Sequence, residues 1–138
     1  MAALTIAPAS VAYISGPSLP DQVAGEAFNA GASLYQGDTG YWFKAQADGT
    51  AVEAGANNTG IALATADGAG ARVTIALPGA TVSVGAGVAG VVYVIGAVAG
   101  QLVPVADMVA TNKVTPVALG IGSNKLQLMR TYSATSIL

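Results

Sequence analysis

Arg72-Val73-Thr74-Ile75-Ala76-Leu77, closed by Pro78-Gly79, sets apolar Val73, Ile75 and Leu77 at every second position. A period of two marks a strand that buries one face, and Pro-Gly is a turn dipeptide that ends it. The same grammar extends in both directions. Upstream, Ser33-Leu34-Tyr35 and Tyr41-Trp42-Phe43-Lys44-Ala45 flank Gly37-Asp38-Thr39-Gly40, which reads as a hairpin, and Asp48-Gly49 supplies a further turn. Downstream, Lys125-Leu126-Gln127-Leu128-Met129-Arg130 alternates again. Helical spacing has room only for a turn or two, over 45–56 and over 104–112. The expected class is all-β.

The second half repeats the first. Ala30-Gly31-Ala32-Ser33-Leu34-Tyr35 has a counterpart in Ala89-Gly90-Val91-Val92-Tyr93-Val94, Gly40 in Gly100, and Gly60-Ile61-Ala62 in Gly120-Ile121-Gly122, at offsets of 59, 60 and 60 residues. A near-constant offset is the sign of a tandem repeat. A chain of 138 residues fits one compact domain, so two such units must share a core. The expectation is a small antiparallel barrel or sandwich built from units 23–78 and 79–130, since neither could bury its apolar face alone. Residues 1–22 carry Pro8, Pro17 and Pro20 and show neither helical spacing nor a clean strand, which predicts an extended N-terminal arm. Residues 131–138 read as a tail.

Composition narrows the function. Apolar residues reach 53% and charged ones only 9%, so the surface must be covered by small side chains and by protein partners. Lys44, Arg72, Lys113, Lys125 and Arg130 are too few and too scattered to replace counterions on phosphates, so no nucleic-acid partner is expected. The chain has no His and no Cys, which excludes Ser-His-Asp chemistry, thiol catalysis, zinc-thiolate sites and disulfides. Asp48 and Glu53 could form a carboxylate pair, but no His, Cys or Lys stands close in sequence to complete a site, and Asp48-Gly49 is better read as a solvated turn. The N-terminus lacks the basic region of a secretory signal. The reading is of a binding protein with no cofactor, not an enzyme.

Two motifs point elsewhere. Gly85-Ala86-Gly87-Val88-Ala89-Gly90 spells G-x-G-x-x-G, with Asp107 twenty residues beyond the second glycine. A dinucleotide site, however, needs a helix to begin there, and the β-branched run Val91-Val92-Tyr93-Val94-Ile95 follows instead, so a turn is expected. The uncharged stretch from Arg72 to Asp107 raises a membrane span over about 79–103 as an alternative. Its six glycines, Thr81, Ser83 and missing basic anchors favour buried strands and no membrane partner.

Tyr41-Trp42-Phe43 is the one aromatic cluster. In a strand, Tyr41 and Phe43 point to one face and Trp42 to the other, so the three divide between core packing and an interface anchor. Tyr13 and Leu19 in the N-terminal segment join them as candidate interface residues.

From Val23 to Arg130 the chain resembles the short Ala- and Gly-rich capsid decoration, or cement, proteins of tailed bacteriophages. The resemblance rests on Ala24-Gly25-Glu26-Ala27-Phe28-Asn29-Ala30-Gly31 leading to Leu34-Tyr35, Asp48-Gly49-Thr50-Ala51, Thr59-Gly60-Ile61-Ala62, and Arg72 to Gly79. It implies a protein on the outside of an icosahedral head, made in the host cytoplasm, that clamps neighbouring major capsid subunits against the pressure of packaged DNA. Low charge and the symmetry axes of such shells add the expectation of a homotrimer ahead of a dimer. A head-fibre or tail-associated module is the alternative of the same composition.

Overall fold

A computed structural model describes residues 4, 6–47, 58–96, 98–107, 113–114, 116–122, 124–129 and 135–136. The strands are β1 (Ala12–Ser15), β2 (Ser18–Val23), β3 (Ser33–Gln36), β4 (Trp42–Lys44), β5 (Asn58–Ala62), β6 (Arg72–Ala76), β7 (Thr81–Ser83), β8 (Val92–Ile95), β9 (Leu102–Pro104), β10 (Lys113–Val114), β11 (Pro116–Gly120), β12 (Lys125–Leu128) and β13 (Thr135–Ser136). Among the described residues the helical pieces are two 3-10 turns, Pro8–Ser10 and Val105–Asp107. The protein is all-β, with two antiparallel sheets stacked as a sandwich and not closed into a barrel. A ribbon of β10 and β13 stands apart from them in pairing. The turn Asp48-Gly49, with Glu53 and most of the 45–56 segment, lies outside the described residues.

The first sheet has the order β2-β6-β5-β3-β4, and the second β1-β7-β12-β11-β8-β9. Without β1 the two orders are the same, strand for strand. Hydrogen bonds match as well. The Gly31 N–H donates to the Ala62 carbonyl (2.8 Å) as the Gly90 N–H does to Gly120 (2.8 Å). The Ala62 N–H donates to Ala32 (3.1 Å) as the Gly120 N–H does to Val91 (2.9 Å). Gly31 and Gly90 both have positive φ, 89° and 83°, the left-handed turn that launches β3 and β8.

The two units stack head to tail. The pair Leu34–Gly60 in the first sheet occupies the place of Tyr93–Ala118 in the second, so Gly60 corresponds to Ala118, and Ala62 to Gly120, two residues off the match that the sequence offset of 60 made. Tyr93 and Ala118 face the seam between sheets, in a core shared with Ile61, Ala76, Val82, Leu102, Leu126 and Leu128, whereas Leu34 faces away from it. Leu34 lies instead in a second core with Phe28, Trp42, Ala66, Val73 and Ile75, closed by the loops 24–32 and 63–71 of its own unit. Those loops are stapled by reciprocal bonds between Phe28 and Ala66 (3.1 and 2.8 Å). The seam is held by polar contacts too: Ser33 N–H to Gly100 O (3.1 Å), Gly100 N–H to Ala45 O (3.0 Å), Ala47 N–H to Gly96 O (2.9 Å) and Ser33 Oγ to Gln101 O (3.1 Å).

Residues 12–22, expected as part of the extended N-terminal arm, are extended but paired. β1 adds to β7 at the edge of the second sheet, and β2 adds to β6 at the edge of the first. One stretch of chain thus borders both sheets, and the step between them falls at Gly16-Pro17. Gly16 has φ 97°, and a Cβ there would lie 2.5 Å from the Ala80 Cα, so only glycine fits. Ahead of β1, Leu4 and Ile6 pack against the shared core, and the Leu4 N–H donates to Leu102 O (2.8 Å). The segment 79–103, raised above as a membrane helix, forms β7, β8 and the start of β9, and among the described residues no helix is long and apolar enough to cross a membrane.

Candidate protein-binding surfaces

The aromatic cluster divides three ways. Trp42, first in β4, is fully buried in the second core, and its Nε1 donates to Gln22 Oε1 at 3.0 Å. As an interface anchor it is therefore ruled out. Phe43 is half-buried and stacks on Tyr35, the ring centroids 5.5 Å apart at 24°. A Cβ at Gly25 would lie 2.3 Å from the Phe43 ring, so the loop backbone covers part of it. Tyr41 alone of the three is exposed, at 48%.

The turn that carries Tyr41 is rigidly tied. The Gly37 N–H donates to Tyr41 O (2.8 Å), the Gly40 N–H to Gly37 O (3.0 Å) and Gln36 Nε2 to Gly40 O (3.1 Å). Gly40 takes φ 89°, which closes the turn. An aromatic ring on such a platform loses little conformational freedom when a partner covers it, and its phenol can still meet a polar group.

The two candidates from the N-terminal segment separate as well. Leu19 in β2 is half-buried against the second core and serves packing. Tyr13 in β1 is 46% exposed, with its hydroxyl donating to Gly16 O. Its neighbour Ile14, which the sequence did not single out, is 44% exposed. Nothing in the local sequence marks it, because the exposure arises from the position of β1 as the outermost strand.

Four strands end the two sheets, and three carry proline, charge or a covering segment. The 24–26 segment runs along β4, with a parallel bridge between Ala24 and Trp42, Gly25 N–H donating to Trp42 O (2.8 Å) and Lys44 N–H to Glu26 Oε2 (2.8 Å). β9 ends in Pro104 and receives the Leu4 N–H at Leu102. β2 contains Pro20 and the charged Asp21 at φ 55°, where its register with β6 shifts. Proline, charge and irregularity are the usual protections of a sheet edge. β1 has neither proline nor charge, all four of its residues are exposed, and its one register shift falls after Tyr13.

Other features carry less chemistry. A cleft of 310 Å³ at the seam is lined by Leu4, Ile6, Asn29, Lys44, Gly100 and Leu102 among others. Among the described residues no group of three His, Cys, Asp or Glu could hold a metal ion, and no buried side-chain polar atom lacks a partner. The G-x-G-x-x-G stretch is a turn into β8, held by the Val88 N–H on Tyr93 Oη (3.0 Å) and the Gly90 N–H on Gly120 O, and no helix begins there. Comparison of the chain with protein-family models, curated proteins and solved structures found no match.

Proposed function

We propose that this chain is a structural protein that binds the outside of an icosahedral phage head and steadies the contacts between neighbouring major capsid subunits. The observation that carries the reading is Tyr41, an exposed aromatic on a rigid, hydrogen-bonded turn whose next residue is anchored in the core. The likeness of the sequence to cement proteins supplies the class of partner. With charged residues at 9%, a contact surface on this chain strips few ions of water, so even small contacts add usefully. Repeated over a lattice, they gain from the high effective concentration of neighbouring sites.

The test is occupancy of purified heads that lack the protein, titrated with the chain and read by co-sedimentation. Saturable binding is expected. Tyr41→Ala, at an exposed position outside both buried clusters, should weaken it about tenfold, as loss of an aromatic anchor costs roughly 1–2 kcal/mol or more. Heads that never take up the unaltered chain would overturn the capsid reading, whereas unchanged binding by Tyr41→Ala would remove only the turn from it.

A further inference from the structure

We propose that two copies of this chain join edge to edge through β1, antiparallel about a two-fold axis, with Tyr13 opposite the partner's Tyr13. The surface is distinct from the Tyr41 turn. β1 is the supernumerary strand of the second sheet, outside the order that both units share, and of the four strands that end the two stacked sheets it alone carries neither proline nor charge.

The choice of a second copy as occupant rests on charge, register and closure. No charged residue occurs from Met1 to Pro20, so two β1 strands meet without repulsion, and β1 offers no ion to pair with a charged segment of another protein. A two-fold axis normal to a sheet places residues of the same face opposite one another. Tyr13 pairs with Val82, which faces the shared core, so Tyr13 projects from that same face at the rim. The register that centres on it sets two tyrosine rings side by side, ahead of the shift at Ile14, and an aromatic pair suits a sheet. Pairing of like with like also consumes both open edges at once and stops at two, continuing the second sheet across the axis, whereas a head-to-tail addition would leave an edge exposed.

The contact is small. Four-residue strands bury well below the roughly 1,000 Å² of a durable interface, so the dimer should be weak in dilute solution and fill where copies are concentrated, as on a shell. A two-fold contact also differs from the three-fold expected from shell symmetry.

The chain has no cysteine, so single cysteines report cleanly. Antiparallel partners stand about 4.5–5.5 Å apart at Cα, within the range a disulfide spans. Tyr13→Cys and Tyr41→Cys, at positions of similar exposure, are compared under mild oxidation. Tyr13→Cys should form a covalent dimer about tenfold faster or more, because its thiols are positioned rather than colliding. Sedimentation of the unaltered chain should show a reversible monomer–dimer equilibrium, shifted to monomer by Ile14→Lys. Equal rates for the two cysteines, or a trimer in sedimentation, would overturn the proposal. Neither result depends on heads, so the capsid reading stands or falls separately.

Discussion

Trp42 is where core and interface readings diverge most sharply, and its truncation to alanine separates them. The indole is fully buried among Leu34, Ala62 and Ile75, and it reaches over Gly60, where a Cβ would lie 3.5 Å from Trp42 Cζ3. Removing a large aromatic from such a site costs about 3–5 kcal/mol, because the surrounding sheet and loops cannot close over the space. The indole N–H bond to Gln22 is lost within that sum, at about 1 kcal/mol. Domains of this kind are stable by only about 5–15 kcal/mol, so the substitution removes a large share. At 138 residues each kcal/mol moves the midpoint by about 3–5 °C, and Trp42→Ala should melt roughly 10–20 °C lower. Trp42→Phe retains most of the buried area and should lose less than half as much. Thermal and urea unfolding followed by far-ultraviolet circular dichroism measures this, since the variant also deletes the chain's single fluorescent indole. A Trp42→Ala chain that melts within about 2 °C of the parent, yet no longer binds heads, would refute the second core and return Trp42 to the surface.

Two further substitutions probe the backbone and the polar tie. Gly16→Ala should destabilise by about 2–4 kcal/mol in urea unfolding, because the side chain must adopt a left-handed conformation and strikes the Ala80 backbone; a loss under about 0.5 kcal/mol would show that β1 and β2 are not stepped there. Gln22→Ala leaves the buried Trp42 N–H without its acceptor and should cost about 1–3 kcal/mol, while Gln22→Glu, which keeps an acceptor, should cost less; equal losses in the two would place the effect in packing and not in the hydrogen bond.

Where a strand declares itself by alternation, the sequence was enough. Lys125 to Leu128 reads exposed, buried, exposed, buried in the structure; Arg72 to Ala76 forms a strand as its period marks, but it buries both faces at its end, Ile75 in the second core and Ala76 in the shared one, where alternation pointed to one. The segment 12–23 did not declare itself, because its prolines argue against strands in general. Pro17 stands at the step between sheets and Pro20 on an edge, where a missing N–H breaks no ladder. Its pairing partners, 72–76 and 81–83, are 49 to 71 residues away, and no local pattern names them. The aromatic triplet shows a similar limit. Alternation puts Trp42 and its neighbours on opposite faces, but which face is covered is decided by loops 24–32 and 63–71, whose sequences carry no period at all.

Head-to-tail stacking also explains why contact should fall to turns and edges. Each sheet offers two faces, and a repeated unit that stacks the same way each time would continue indefinitely. In the first unit the face that would receive another sheet is closed by its own loops, bonded to each other at Phe28 and Ala66, so growth in that direction is stopped. The turn after β3 is then free to present Tyr41, while the corresponding turn of the second unit is used inside the chain, with Gly96, Gly100 and Gln101 bonded to Ser33, Ala45 and Ala47. The same turn thus serves two purposes: one copy fastens the units together and the other is left facing outward. An exposed ring, held on a turn that internal hydrogen bonds have fixed, is placed to meet a partner.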